Sequence, residues 1–114
     1  MEIQDLELYQ GDTWDIDVTV YGTDDLPVDL TTYNIRSYIR KKHTDPAPTA
    51  QFICTKPAPT TGVLSLHLAA ATSAGIPKGL YVADVELYYL LGAEEIVHKA
   101  VVLNIDVKAE ATKP

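Results

Sequence analysis

Between Gly79 and Tyr89 the chain alternates without a break. Val82, Asp84, Glu86 and Tyr88 fall on one face of an extended backbone; Tyr81, Ala83, Val85, Leu87 and Tyr89 fall on the other. Successive side chains of a strand point to opposite sides, so this period of two specifies a half-buried strand. A helix would scatter Asp84 and Glu86 into its apolar stripe. The turn signal Ile76-Pro77-Lys78-Gly79 opens the strand, and no proline interrupts it. A second long candidate, Glu95 to Lys108, follows across Leu91-Gly92-Ala93, and the two read as a hairpin. In the second strand Val101, Leu103, Ile105 and Val107 are expected to face in, with Asn104, Asp106 and Lys108 facing out.

The rest of the chain supplies shorter strands of the same kind. Glu2 to Tyr9 reads as an edge strand whose acids Glu2, Asp5 and Glu7 blunt an open edge. Gly11-Asp12 is a turn. Trp14, Ile16, Val18 and Val20 then alternate with Thr13, Asp15, Asp17 and Thr19, apolar inward and polar outward. Tyr21 to Pro27 is turn-rich, and Val28 to Thr31 is a short extended piece in which Asp29 or Thr31 bonds loop backbone. Asn34 to Lys41 places Ile35 and Ile39 on one face and Arg36, Tyr38 and Arg40 on the other, where guanidinium and aromatic planes can stack. Ala50, Phe52 and Cys54 alternate in one short strand between two proline loops, His43 to Thr49 and Lys56 to Gly62. Leu64, Leu66 and Leu68 form one face of a further strand. The alanine-rich run at 69–75 predicts one or two turns of helix, ended by Gly75 and Pro77. The sum is seven or eight strands and one short helical turn, which points to a single antiparallel β-sandwich over residues 1–108. Residues 109–114 form a polar tail, expected to be loose unless a partner holds it.

Composition narrows the function classes. The chain has 114 residues, enough for one domain and one core. A formal net charge of −7 opposes nucleic-acid binding, which relies on Lys and Arg to neutralise phosphates. The one basic cluster, Arg36, Arg40, Lys41, Lys42 and His43, reads as a solvated strand end. No apolar run is long enough for a membrane helix, and the acidic N-terminus lacks a basic-plus-apolar signal, so first folding in a cytoplasm is expected. Cys54 has no second cysteine to pair with and reads as a small buried hydrophobe.

No catalytic constellation stands out, and no enzymatic role or cofactor is expected. His43, His67 and His98 lack metal-ligand spacing, with His67 and His98 at apparently outward positions. The acid pairs Asp15/Asp17, Asp24/Asp25, Asp84/Glu86 and Glu94/Glu95 sit where outward faces and turns need polar residues. What remains is surface. Seven tyrosines against one phenylalanine is a lopsided aromatic choice, and tyrosine is enriched at interfaces. Tyr9, Tyr33, Tyr38 and Tyr88, with Arg36 and Arg40 as ion-pair donors, are the expected protein contacts. Subunit contact is preferred over sugar binding.

The order of these pieces resembles the small immunoglobulin-like domains of tailed-phage tail and baseplate proteins, in particular the N-terminal domain of the baseplate upper protein family. The matching stretches are Gln10-Gly11-Asp12-Thr13-Trp14, Leu26-Pro27-Val28-Asp29-Leu30-Thr31-Thr32-Tyr33, Ile35-Arg36-Ser37-Tyr38-Ile39-Arg40-Lys41, and Gly62 to Leu68 leading to Ile76 through Leu87. The resemblance covers roughly residues 9–108 and carries no catalytic residue. It implies an immunoglobulin-like sandwich and a non-enzymatic virion component, made in the host cytoplasm. Such a module docks onto tail, baseplate or fibre proteins in multiple copies with a symmetric arrangement. Larger family members continue into a fibre or receptor-binding region; this chain is expected to stop after the domain, which favours an adaptor, connector or decoration role over receptor recognition. A capsid decoration protein and a carbohydrate-binding module are the alternatives.

Overall fold

A computed structural model describes residues 2–109; Met1 and residues 110–114, most of the expected tail, lie outside the described residues. Eight strands form two sheets around one core. In chain order they are β1 (Glu2–Tyr9), β2 (Trp14–Thr19), β3 (Asn34–Arg40), β4 (Ala50–Gln51), β5 (Ile53–Ala58), β6 (Val63–Leu68), β7 (Gly79–Leu91) and β8 (Glu94–Lys108). One sheet has the order β1-β8-β7-β3-β4 and the other β2-β6-β5. A single turn of helix, α1 (Ala70–Ser73), falls inside the alanine-rich run.

The alternation in the sequence sets the core. Tyr81, Ala83, Val85 and Leu87 of β7 are buried, facing Trp14, Ile16 and Val18 of β2 and Leu64, Leu66 and Leu68 of β6 in one apolar cluster. From β8, Val101, Leu103, Ile105 and Val107 join it. Residues 79–91 and 94–108 form the expected hairpin, closed by the two-residue loop Gly92-Ala93. Gly92 takes φ 64°, which a glycine adopts without the Cβ clash that hinders other residues. The register slips once: Val85 faces Val101 but Glu86 faces Lys99, so Ala100 is the extra residue of a bulge.

Two expectations are corrected. The sandwich is not wholly antiparallel, because β1 pairs with β8 in parallel, from Glu2 opposite Val101 to Tyr9 opposite Lys108. The turn at Gly11 sends the chain into the other sheet, so β1 and β8 need no direct connection. The whole intervening chain serves as the long crossover that parallel neighbours require.

The expected short strand across Ala50 to Thr55 is in fact two strands in different sheets. β4 pairs with β3 and β5 with β6. The chain changes sheets at Phe52, which is buried and donates its amide to the Ser37 carbonyl at 3.0 Å. The second proline loop is correspondingly shorter than expected. Lys56, Pro57 and Ala58 belong to β5, an edge strand whose irregularity between Thr55 and Ala58 accommodates the proline. Only a 3-10 turn at Pro59–Thr61 remains, ended by Gly62 at φ 77°. A Cβ on Gly62 would lie 2.8 Å from the Val20 carbonyl, so the position admits glycine alone.

Polar side chains fix the connections. The buried Ser73 hydroxyl accepts the Gly11 amide at 3.1 Å and donates to the Asp12 carbonyl at 2.6 Å, tying α1 to the β1–β2 turn. The Trp14 indole donates to the Tyr9 carbonyl at 2.8 Å across the same turn. The Tyr81 hydroxyl donates to the Pro77 carbonyl at 2.7 Å, anchoring the start of β7. Lys56 reaches the carbonyls of Leu30 and Tyr33, at 3.3 and 2.8 Å, and holds the loop before β3. Asp29 accepts the Thr31 amide at 2.9 Å, as expected of a loop acid; that bond and the Thr31 hydroxyl hold its carboxyl below the ordinary range.

Candidate protein-contact face

The outer face of the five-stranded sheet gathers four of the six expected contact residues. β3 contributes Arg36, Tyr38 and Arg40; β7 contributes Tyr88, with Asp84 and Glu86 before it on the same face. The pleat puts them together: Arg36 pairs with Glu86, Tyr38 with Asp84, and Arg40 with Val82 in register.

The charges are matched within this face. Arg36 donates from Nε to Glu86 at 3.0 Å and from its terminal nitrogen to Glu95 of β8 at 2.8 Å. Its guanidinium carbon lies 4.5 Å from the centre of the Tyr88 ring. The hydrogen bonds to Glu95 and Glu86 raise its pKa above the usual arginine value, so it is a fixed cation. Arg40 sits 5.4 Å from the Tyr38 ring centre and donates to the Asp45 carbonyl at 3.1 Å. Asp84 meets Lys99 at 3.0 Å and His43 at 3.6 Å through one carboxylate oxygen. Its other oxygen is buried with no partner among the described residues. Arg36, Tyr38, Arg40, His43, Asp84 and Glu86 line a polar hollow of about 480 Å³ over β3 and β7. Half-exposed pairs of this kind each contribute about 0–1 kcal/mol, so they shape a surface more than they stabilise a fold.

Tyr9 and Tyr33 stand apart from this group. Tyr9 ends β1 and donates its hydroxyl to Glu7 at 3.0 Å; that bond and the neighbouring charge raise its pKa. Tyr33 precedes β3 and packs edge-on against Tyr89 (5.5 Å) and His98 (6.3 Å), on the opposite side of the hairpin from Tyr88. It is half-buried and serves as a strut under the hairpin.

Of the histidines, His67 lies on an outward face and His98 is exposed, as expected. His43, in the loop after β3, approaches Asp84. His67 pairs with Asp15 at 2.7 Å on the outer face of the small sheet, where Ser65 donates to Asp17. Among the described residues no group of three His, Cys, Asp or Glu side chains is placed to hold a metal ion. Cys54 is half-buried, and burial pushes its thiol up to about 11, so it stays protonated at neutral pH.

The most exposed apolar residues were not among the expected contacts. Leu90 is 68% exposed, Leu91 62% and Leu80 76%. Leu90 and Leu91 lie where β7 and β8 run beyond the sheet, since β3 ends its pairing at Asn34 opposite Tyr88 and β1 begins opposite Val101. The signal was present in the sequence. The run Tyr88-Tyr89-Leu90-Leu91 breaks the alternation that governs residues 81–88.

No protein-family model matches the chain, and no curated protein matches it.

Proposed function

We propose that the chain is a non-enzymatic structural component of a tailed-phage virion, an adaptor or fibre-associated protein of the tail or baseplate. The virion part of this reading rests on the sequence resemblance. The contact part rests on one observation: a two-stranded ribbon that leaves the sandwich with Leu90, Leu91 and Val97 exposed at its end. Isolated exposed apolar residues are ordinary, but a projecting apolar end beside a Tyr–Arg face is the composition of a protein interface.

The immunoglobulin-like part of the reading has support in the strand order. β2, β6 and β5 correspond to strands B, E and D of such a domain, and β8, β7, β3 and β4 to G, F, C and C′. The Tyr81 bond to the carbonyl four residues upstream is that of a tyrosine corner at the start of strand F. The position two residues later, a cysteine in antibody domains, is Ala83, and Cys54 is the sole cysteine.

The alternative of sugar binding has Tyr38, Tyr88 and nearby carboxylates in its favour. Against it, guanidinium groups already lie over both rings, where a sugar would stack. Co-purification with the proteins encoded beside this chain is the test. The expected result is a stable complex with a tail, baseplate or fibre protein. A complex with a capsid shell protein instead would shift the reading to decoration, and a glycan-array signal without any protein complex would overturn it.

A further inference from the structure

The hairpin end is apolar on both sides. Tyr88, Leu90 and Val97 project to one side of the ribbon, and Tyr89, Leu91 and Ile96 to the other. A strand with one wet face alternates, whereas strands covered on both faces read as continuous apolar runs. Tyr33 and His98 cover part of the Tyr89 side near the base. Beyond them, Leu90 and Leu91 are mostly uncovered by the described residues.

A surface of matching character lies at the other end of the same strand. On the outer face of the five-stranded sheet, Leu80 and Val82, with Asp5, Asn104, Asp106 and Lys41 around them, line a groove of about 410 Å³. Leu80 and Leu91 are eleven positions apart on β7, about 36 Å at 3.3 Å per residue. The ribbon therefore has no means of reaching its own groove.

The charges at the two ends are opposite. At the tip of the ribbon Glu94, the first residue of β8, stands opposite Leu91, while Glu95 is already paired with Arg36. Lys41 lines the groove, Lys42 follows it in the chain and Lys78 lies two positions before Leu80; none of the three has a carboxylate partner among the described residues. Two acids also line the groove: Asp106 is paired with Lys108 at 3.1 Å, and Asp5 accepts a hydrogen bond from the neutral Asn104 amide at 3.0 Å.

We propose that the occupant of the groove is a second copy of this chain, which inserts Leu90 and Leu91 of its hairpin end and sets Glu94 against the lysines. The proposal deepens the assembly reading above and rests on it. The contact joins two different surfaces, so each copy offers one end and accepts another, and the arrangement propagates head to tail into a ring or a short filament. The surfaces are small, so each single contact is weak and repetition supplies the strength.

Sedimentation velocity on the full chain, from about 10 µM to about 1 mM, tests this, since an interface of the small class is expected to populate only at high concentration. The expected result is a mass that rises with concentration. L90S/L91S, altered at the ribbon, and L80S, altered at the groove, are each expected to stay monomeric. Mixed together they are expected to form a one-to-one dimer and nothing larger, because one intact end remains on each. Charge reversal gives a second route: E94K and K41E each weaken association, and the chain carrying both regains it. A wild-type chain that stays monomeric throughout, variants that associate like wild type, or a mixture that forms no dimer would overturn the proposal. A monomer that still enters a complex with tail or fibre proteins removes the self-contact and leaves the adaptor reading standing. A monomer that enters none removes both.

Discussion

The two halves of the β7–β8 hairpin are continuous strands with opposite design. In the half near Gly79, inward positions are almost fully buried: Ala83, Val85, Leu103 and Ile105 are each 0 or 1% exposed. Outward positions there carry Asp84, Glu86, Asn104 and Asp106, as a solvated face requires. At the end near Gly92, large apolar residues occupy both sides, and Leu90 and Leu91 are each more than half exposed. The β7–β8 ladder runs through both halves, but β3 and β1 pair alongside the first and stop short of the end of the second. A second sheet separates them as well: the first half has β2 and β6 opposite it and the other extends past them. The comparison teaches that the inward apolar residues of the first half hold the fold, while those at the far end of the second, like the outward Leu80 of the first, are available to another molecule.

The largest effect should come from emptying the buried half. Leu103→Ala removes a fully buried side chain and is expected to cost about 2–5 kcal/mol. Leu91→Ala, at the exposed end, should stay within about 0.5 kcal/mol. Urea denaturation of both variants measures the contrast, and equal losses would break it. Next, Tyr81→Phe removes only the hydroxyl bound to Pro77, with an expected loss of about 1 kcal/mol. A neutral result would mean the anchor at the start of β7 contributes nothing net.

Arg36 joins the two halves, since it bonds Glu86 in one and Glu95 in the other. Arg36→Met should change global stability by about 1 kcal/mol or less. Its effect should instead be local. Hydrogen exchange of the amides from Leu90 to Val97 is expected to quicken while that of Val85 and Leu103 does not. Uniform quickening would show that the end does not move on its own. The smallest effect is expected at Ser37, a fully buried residue opposite Val85 whose hydroxyl has no partner among the described residues. Removing an unsatisfied polar group leaves the packing nearly intact, so Ser37→Ala should be neutral or stabilising by up to about 1 kcal/mol. A clear loss of melting temperature would reveal a partner for that hydroxyl.

Much of the fold was legible because strand alternation is a local property. Residues 2–9, 14–19, 34–40, 63–68 and the hairpin were each expected as strands, and each forms one. The single helical turn follows from four alanines near a glycine stop. Phe52 was not legible in the same way. Its neighbours alternate smoothly through the point where the chain leaves one sheet for the other, and only the bond to the Ser37 carbonyl shows the change. The contact face was legible in part: alternation put Arg36, Tyr38, Arg40 and Tyr88 outward. It did not show which tyrosines would meet, and so Tyr9 and Tyr33 were grouped with residues they do not approach.

By itself the sequence determined which side chains face in, where turns fall, and that the chain builds strands. Those are decided by neighbours one and two positions away. The tertiary structure alone decided that β1 lies parallel to β8, that β4 and β5 belong to different sheets, and that β7 and β8 outrun their partners. These depend on which distant strands end opposite which, and no local period encodes the end of a neighbour 50 residues away, as for Asn34 against Tyr88, roughly that far apart in the chain.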